Sequence, residues 1–468
     1  MNDEMSRRAL RSFRENALIY DVIVVGSGFS AIAVTCNLIE QLPASAKVAV
    51  VGDDPGFGRG TAYRTELYLH RLNVPAGRMS LLPHQPDDFV DWLKRHGRLM
   101  QAGDFASRSD YGLYVRDTLA RLLRKRDGRC RVDFIKAKAA GCVERYSSTL
   151  AFHLGNGDEI AGRNVVLCLG VGNASLPVDP DGVPPSLRSR IIENPWRLSW
   201  LRRVASSDAV CILGSGLTMI DQVLALRAHG HSGRIDVLSR RGLAPLGHAR
   251  ELPAPLPIDV EALPDTISEI LKSLRGKSRT VADWRGVMDG LRPATQALWQ
   301  RLSSKERSRF LRHALPWWNI HRHRVAPDVF DKFEKLVSDG IVRFHAGFLK
   351  SLGAQEGRLL ASYRVRATPQ IAGINADWLV NCTGMERAGI SHSPLLKEMS
   401  RFQLIVPDPL GLGIQVNAAS EVTAPSEISP ARLFAVGALT AGQFWEITAV
   451  PDIRVQAKAV AEEIVSRG

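Results

Sequence analysis

Apolar residues in this chain recur as short continuous runs closed by glycine and followed by stretches of helical period, the pattern of alternating strands and helices. The run Tyr20-Asp21-Val22-Ile23-Val24-Val25 passes directly into Gly26-Ser27-Gly28-Phe29-Ser30-Ala31. It predicts a strand over Asp21–Val25, a tight turn, a helix from about Ser30 to Leu42 and a second strand over Lys47–Val51. The pattern returns in mid-chain, where Ala209-Val210-Cys211-Ile212-Leu213 enters Gly214-Ser215-Gly216-Leu217-Thr218-Met219-Ile220-Asp221. A helix to about His229 and a strand over Arg234–Arg241 follow. Both blocks open βαβ units, so the predicted fold is α/β with two Rossmann-like dinucleotide-binding domains.

Other elements fill in around these blocks. Helices are predicted at Asp87–Arg95 and Arg108–Arg124, and a hairpin runs from Cys142–Leu154 through Gly155–Asp158 to Glu159–Gly162. Buried strands ending in glycine are predicted at Asn164–Gly170, Ala376–Gly384 and Leu433–Gly437, places where backbone can pass close to a cofactor. Pro177–Pro185 reads as a linker, and residues from about Ile258 to Leu336 as a mostly helical insertion or cap. Strand signals resume at Ile341–Phe344, and a closing helix runs from near Pro451 to Val465.

At 468 residues the chain fits two or three domains, and 45% apolar with 23% charged residues is a globular composition. A net charge of +13 and a pI near 9.7 would suit nucleic acid, a membrane surface or anionic ligands. The basic residues are spread along the chain, apart from short clusters at Arg121–Arg131 and His321–Arg324, so no nucleic-acid face is read. The longest apolar stretch, Ala17–Ile39, holds Asp21, the first glycine turn, Ser30, Thr35 and Asn37, which fits strand, turn and helix better than a membrane span. Met1–Asn16 is charged and lacks a secretory apolar core, so the expectation is a cytoplasmic protein without a membrane partner. Oligomeric state leaves no signal. The six cysteines lie far apart, which argues against a zinc site or a redox disulfide and reads as buried thiols; no metal site is predicted.

A strand turning through Gly-x-Gly into a helix brings backbone amides and the positive helix end to a pyrophosphate. Two such turns, a whole domain apart, point to two dinucleotides, and the simplest chemistry is hydride passing from a nicotinamide to a flavin. The acidic residue that holds an adenosine ribose is expected after Lys47–Val51; Asp53 is the candidate, although Asp53-Asp54-Pro55-Gly56 also spells a plain turn. Gly56-Phe57-Gly58-Arg59-Gly60-Thr61-Ala62-Tyr63 either wraps the flavin's pyrophosphate or ring or is a surface loop, with Arg59 facing phosphate or solvent. The second block ends in Ser239-Arg240-Arg241 instead of an acid, which suits a 2′-phosphate and favours NADPH over NADH, unless the arginines are merely solvated.

Taken together, Gly26–Ala31, Phe57–Tyr63, Leu72-Asn73-Val74-Pro75-Ala76, Gly214–Asp221, Asn381-Cys382-Thr383-Gly384 and Gly442-Gln443-Phe444-Trp445-Glu446 resemble the bacterial FAD/NAD(P)-binding flavoprotein monooxygenases, of the FAD-dependent urate hydroxylase and aspartate N-monooxygenase type. The layout is more distantly similar to the flavin-containing monooxygenases, in which the NADPH domain is inserted into the FAD domain. The resemblance covers nearly the whole chain and is specific for the cofactors, weak for the substrate. Two departures stand out: Glu193-Asn194-Pro195-Trp196 replaces the Baeyer-Villiger signature, and Met219 replaces the small third residue of the second fingerprint, implying looser packing of that helix.

The resemblance implies an FAD domain in residues 1–195, an NAD(P) domain in 200–384 with the helical insertion at about 258–336, and a return to the FAD domain in 385–468. FAD contacts would come from Gly26, Ser27, Gly28, Phe29, Ser30, Ala31, Asp53, Arg59, Gly60, Asn73 and Gly437. NADP contacts would come from Gly214, Ser215, Gly216, Leu217, Thr218, Ser239, Arg240 and Arg241, with Thr383 and Gly384 on the strand that returns between domains. Catalytic roles would fall to Asn73, hydrogen-bonding the flavin or its hydroperoxide or only forming a turn, and to Trp445 and Glu446, beside the isoalloxazine or in plain packing. His321-Arg322-His323-Arg324 would bind an anionic substrate in the cap or form a solvated helix face. The implied activity is hydroxylation by NAD(P)H and molecular oxygen, through a flavin C4a-hydroperoxide, of a small polar nitrogen compound such as urate. Amino-acid N-hydroxylation, for example of aspartate, is the alternative. An oxidoreductase without oxygen insertion and a non-catalytic dinucleotide-binding regulator are the further readings.

Overall fold

Strands in the computed structural model run in chain order as β1 (Leu18–Val25), β2 (Lys47–Val51), β3 (Arg131–Ile135), β4 (Ala139–Arg145), β5 (Thr149–Leu154), β6 (Glu159–Leu167) and β7 (Ile191–Ile192). They continue as β8 (Val210–Leu213), β9 (Ile235–Ser239), β10 (Val342–Gln355), β11 (Arg358–Val365), β12 (Ile371–Ala376), β13 (Trp378–Asn381) and β14 (Arg432–Ala435). The described residues are 18–125, 129–145, 149–170, 172, 175–384, 390, 393–423 and 431–467, so the segment Met1–Asn16 lies outside them. The chain divides into two units, one of Met1–Arg64, Pro75–Val171 and Arg387–Gly468, the other of Thr65–Val74 and Gly172–Glu386.

In the first unit the sheet order is β3-β2-β1-β6-β5-β4, with β14 also pairing β6. One edge of β6 serves two partners: Glu159–Gly162 pairs antiparallel with β5, and Asn164–Leu167 pairs parallel with β14. The other edge pairs with β1 over almost its full length. This continuous pairing corrects the sequence expectation, since Glu159–Gly162 and Asn164–Gly170 are one strand that ends at Leu167, and Cys142–Leu154 spans two antiparallel strands, β4 and β5. Val22–Val25 of β1 are buried on both faces, as a central strand requires. The helix Phe29–Gln41 packs against the closing helix Val450–Ser466 and the helix Arg108–Arg124. Its two buried polar residues bond back to the preceding turn, Thr35 Oγ1 to Ala31 O and Asn37 Nδ2 to Ala33 O, each at 2.7 Å. Among the described residues no helix is long and apolar enough to cross a membrane.

The second unit carries the sheet β12-β11-β10-β9-β8-β13-β7. Strands β10, β9, β8, β13 and β7 run parallel, and β10, β11 and β12 form an antiparallel meander. The strand predicted at Ile341–Phe344 is only the start of β10, whose first residues pair with β9 and whose remainder, from Gly347, pairs with β11. The insertion is helical, from Ile267–Ser278 to Pro327–Ser338, interrupted by a wide π turn at Phe310–Ala314. Residues 65–74 group with this unit, and among their ties to it the fully buried His70 donates from Nε2 to Asp221 O at 3.2 Å while accepting from Thr65 Oγ1 at 2.7 Å.

Three strands of this sheet are tied by a polar cluster. Asp236 on β9 lies 2.8 Å from His345 Nε2 on β10 and 2.7 Å from Arg234 Nε, while His345 Nδ1 lies 3.1 Å from Tyr363 Oη on β11. Burial opposes ionisation of Asp236, but the His345 hydrogen bond and the Arg234 charge outweigh it and hold the carboxyl below the usual carboxylate range. A depressed folded pKa gives stability that is full above the ordinary carboxylate pKa and is lost as pH falls through the folded value. Asp236→Asn is expected to cost about 1–3 kcal/mol at neutral pH and to flatten the fall of Tm below about pH 4. Wild-type stability at neutral pH in this variant, read by thermal melts, would contradict the cluster's role.

Candidate functional site

In the first unit the chain turns at a backbone crossing. Gly26 N–H donates to Val51 O at 2.7 Å, and Cys168 N–H donates to Val25 O at 2.8 Å. Gly26 has φ +138°, and a Cβ there would stand 2.4 Å from the Cys168 carbonyl oxygen. Only glycine fits. Gly28 is different: its φ of −84° and ψ of −169° suit any residue, and the nearest atom to an added Cβ is 3.8 Å away. Among the described residues no side chain caps the helix Phe29–Gln41, and its first turn holds no acid. The positive helix end is thus left for an outside anion, and Gly28 keeps the approach bare.

Around this turn the fold gathers several predicted residues. Gly58 N–H donates to Ser27 O at 2.8 Å, and Gly60, φ +57°, would place a Cβ 3.3 Å from Gly28 Cα. Gly437, φ +84°, sits where a Cβ would lie 2.7 Å from Ser30 Oγ. Its N–H donates to Gln456 Oε1 at 2.8 Å, and Gln456 Nε2 donates to Ser420 and Thr440 hydroxyls at 3.0 Å. Asp53 is exposed just beyond β2, whereas Asp54 takes the turn-forming role, accepting from Gly56 N–H at 3.1 Å. Arg59 is half-buried, with its Cγ 3.4 Å from where a Gly112 Cβ would stand. Trp445 and Glu446 are half-buried in the same unit, and Glu446 holds a left-handed φ of +63°, a strained conformation of the kind that collects at functional sites.

The second unit repeats the geometry. Gly214 N–H donates to Leu238 O at 2.8 Å, Cys382 N–H donates to Leu213 O at 2.7 Å, and a Cβ on Gly214, φ +94°, would meet the Cys382 oxygen at 2.2 Å. Gly216, φ −85° and ψ −169°, has open space where its Cβ would be. The helix Leu217–Ala228 also lacks a side-chain cap and a first-turn acid among the described residues. Ser215, Leu217 and Thr218 are half-buried around this end, and Met219 is fully buried. Thr383 donates from N and Oγ1 to Asn381 Oδ1 at 3.2 and 2.7 Å, and Gly384, φ +110°, has nothing within 4 Å of an added Cβ. At the end of β9, Ser239 Oγ accepts from Gly242 N–H at 3.0 Å. Arg240 is exposed and Arg241 half-buried, and neither pairs with a carboxylate among the described residues.

Asn73 lies in the second unit, and Trp445 and Glu446 lie in the first. Its carbonyl accepts from His248 Nε2 at 3.1 Å. Burial, reinforced by the Arg324 charge, pushes the His248 pKa down to about 4 and keeps the ring neutral. The cap cluster needs correction at Arg324, which is not part of a solvated face: its side chain is 2% exposed and pairs with Asp289. Sequence reasoning missed this because the carboxylate comes from a helix 35 positions upstream. All six cysteines are buried and none is in a disulfide, and burial raises the thiol pKa values of Cys36, Cys168, Cys211 and Cys382, that of Cys211 to about 12.

Residues 23–172 match the sequence profile of a family described as FAD-NAD(P)-binding. No curated protein matches the sequence. Among solved structures the chain is similar to an ornithine N-hydroxylase from Kutzneria sp. 744, captured with reduced FAD, NADP+ and L-ornithine, with TM-score 0.68 and 14% identity over 96% of this chain and 99% of that one. It is similar to L-lysine 6-monooxygenase from Pseudomonas syringae, with TM-score 0.65 and 16% identity over 95% and 99%. A bacillithiol disulfide reductase from Bacillus cereus shares the fold at TM-score 0.55 and 13% identity over 96% and 100%. The chain therefore has the FAD/NAD(P)-binding flavoprotein fold, on which more than one chemistry is run.

The two kinds of glycine separate experimentally. Gly26→Ala and Gly214→Ala are expected to cost more than about 3 kcal/mol through the carbonyl clash and the positive φ. Gly28→Ala and Gly216→Ala should stay within about 1 kcal/mol of wild type while losing affinity for their dinucleotides. Unchanged FAD and NADPH affinity in the second pair, measured by calorimetry, would remove the assignment of those turns.

Proposed function

We propose, from the premise of this FAD/NAD(P)-binding flavoprotein fold, that the protein is an FAD-dependent NADPH monooxygenase acting on a small amine or amino acid. In the balanced reaction the amine, O2, NADPH and a proton give the hydroxylamine, water and NADP+. The observation that carries this reading is the pair of uncapped helix ends behind Gly28 and Gly216, where glycine serves no need of the chain itself. Both cradles fit a pyrophosphate: bare backbone, a positive helix end and no first-turn acid.

In this reading the amides of Ser27 to Ala31 hold the FAD pyrophosphate, Asp53 takes the ribose, and Arg59, Gly60 and Gly437 border the cofactor. Gly214 to Thr218 hold the NADPH pyrophosphate, Ser239, Arg240 and Arg241 the 2′-phosphate, and Thr383 and Gly384 complete that cradle. Asn73, Trp445 and Glu446 are the proposed catalytic residues, supplying an amide donor, an aromatic wall and a carboxylate that can hold a proton. Bound FAD supplies oxygen activation once it is reduced by the nicotinamide.

Amine hydroxylation is preferred to urate because similar structures spanning nearly the whole chain act on ornithine and lysine. The second reading, an oxidoreductase without oxygen insertion, draws on the shared fold of the disulfide reductase. The chain's own thiols argue against a thiol redox pair, since all six are buried and none is in a disulfide.

The test is a panel of amines and amino acids scored together for NADPH oxidation, hydroxylamine and peroxide. One hydroxylamine per NADPH for at least one compound is expected, and replacing Arg240 and Arg241 by Ala should raise KM for NADPH more than for NADH. NADPH consumption that yields only peroxide with every compound would overturn oxygen insertion.

A further inference from the structure

Gln456, buried on the closing helix Val450–Ser466, reaches three separate places in the first unit. Its Oε1 accepts from Gly437 N–H at 2.8 Å, and its Nε2 donates to the hydroxyls of Ser420 and Thr440, each at 3.0 Å. Ser420 and Thr440 are buried too, so both ends of the amide are engaged away from water.

The partners fix the polarity required at this position. Gly437 N–H needs an acceptor. The Thr440 hydroxyl already gives its proton to Gly437 O at 2.9 Å, so it can meet Gln456 only by accepting. A side chain at 456 must therefore accept at one end and donate at the other. Glutamine or a protonated glutamic acid can do this, whereas an ionised glutamate or a leucine cannot.

What the amide holds is the border proposed for the flavin. Gly437, φ +84°, has its N–H on Gln456 and its carbonyl on the N–H and hydroxyl of Thr440, each at 2.9 Å, so its polar groups are spent within the chain. It offers bare backbone, placed where a Cβ would lie 2.7 Å from Ser30 Oγ in the first turn of the helix Phe29–Gln41. Thr440 O accepts from Gln443 N–H at 3.1 Å and from Phe444 N–H at 2.8 Å, which begins the turn leading to Trp445 and Glu446. Ser420 holds a left-handed φ of +63°, and its carbonyl accepts from Ala435 N–H of β14 at 3.0 Å.

We propose that Gln456 is a positioning residue of the flavin site, acting through Gly437 and Thr440 on the cofactor's border and on the turn that carries Trp445 and Glu446. The inference rests on the placement of FAD at the first glycine turn and is independent of which substrate is oxidised.

The test compares wild type, Gln456→Leu and Gln456→Glu for FAD affinity by calorimetry between pH 5 and 9, and for Tm without FAD. Gln456→Leu should weaken FAD at least about tenfold, the scale of a buried donor left without its acceptor. Burial raises a carboxyl pKa, so Gln456→Glu should bind FAD nearly as wild type does at low pH and lose at least about tenfold, relative to wild type at the same pH, as the carboxyl ionises. This second variant keeps the proposal open to refutation if the first fails to fold. A lowered Tm with FAD affinity unchanged in both variants would make Gln456 a folding residue only and overturn the proposal. So would a Gln456→Glu affinity that tracks wild type at every pH. Wild-type protein that takes up no FAD would overturn this inference and the flavin reading together. If no hydroxylamine forms while FAD affinity still depends on Gln456, amine hydroxylation fails and the positioning role stands.

Discussion

The rest of the structure depends on a backbone contact too close for any side chain. The carbonyl of Cys168 stands where a Cβ of Gly26 would be, and the carbonyl of Cys382 stands in the same relation to Gly214. Each contact locks the end of one parallel strand against the segment that follows its neighbour and forces the chain to turn at once into a helix. Helix position, its uncapped end and the bareness of the approach all follow from that crossing.

The same device, used twice, acquires different chemistry from what surrounds it. In the first unit the strand after the helix leads to Asp53 and Asp54, and Gly437 comes back beside Ser30, held by the buried Gln456. In the second, the matching strand leads to Ser239, Arg240 and Arg241 with no acid among them. Ribose hydroxyls suit the first arrangement and a phosphate the second, which is the physical basis for proposing FAD at one and NADPH at the other. Met219, which breaks the small-residue pattern, is taken up wholly into the interior of its unit.

Much of this was legible in the sequence because local patterns carried it. Apolar runs ending in glycine located β1, β8, β13 and β14, and helical period located Arg108–Arg124 at its observed bounds. What escaped depended on partners distant along the chain. The β10-β11-β12 meander is rich in glycine, serine and charge, and exists because β10 pairs with β9 over Val342–Ala346 and, from Gly347 on, antiparallel with β11. Residues 65–74 are tied to the second unit by His70 reaching Asp221, 151 positions away, and by the Asn73 carbonyl accepting from His248, 175 positions away. Arg324 looked like one of a solvated run because nothing nearby in sequence announces Asp289. At the sites, the glycine turns were readable and the surroundings of Asn73 were not.

The central claim is that these two turns hold a flavin and a nicotinamide for one hydride transfer. Its most direct test is an anaerobic titration of FAD-loaded protein with NADPH, followed through the flavin's visible absorption. Bleaching of the oxidised band with one NADPH consumed per flavin is the result expected. A flavin that binds tightly yet stays oxidised under excess NADPH would contradict the account.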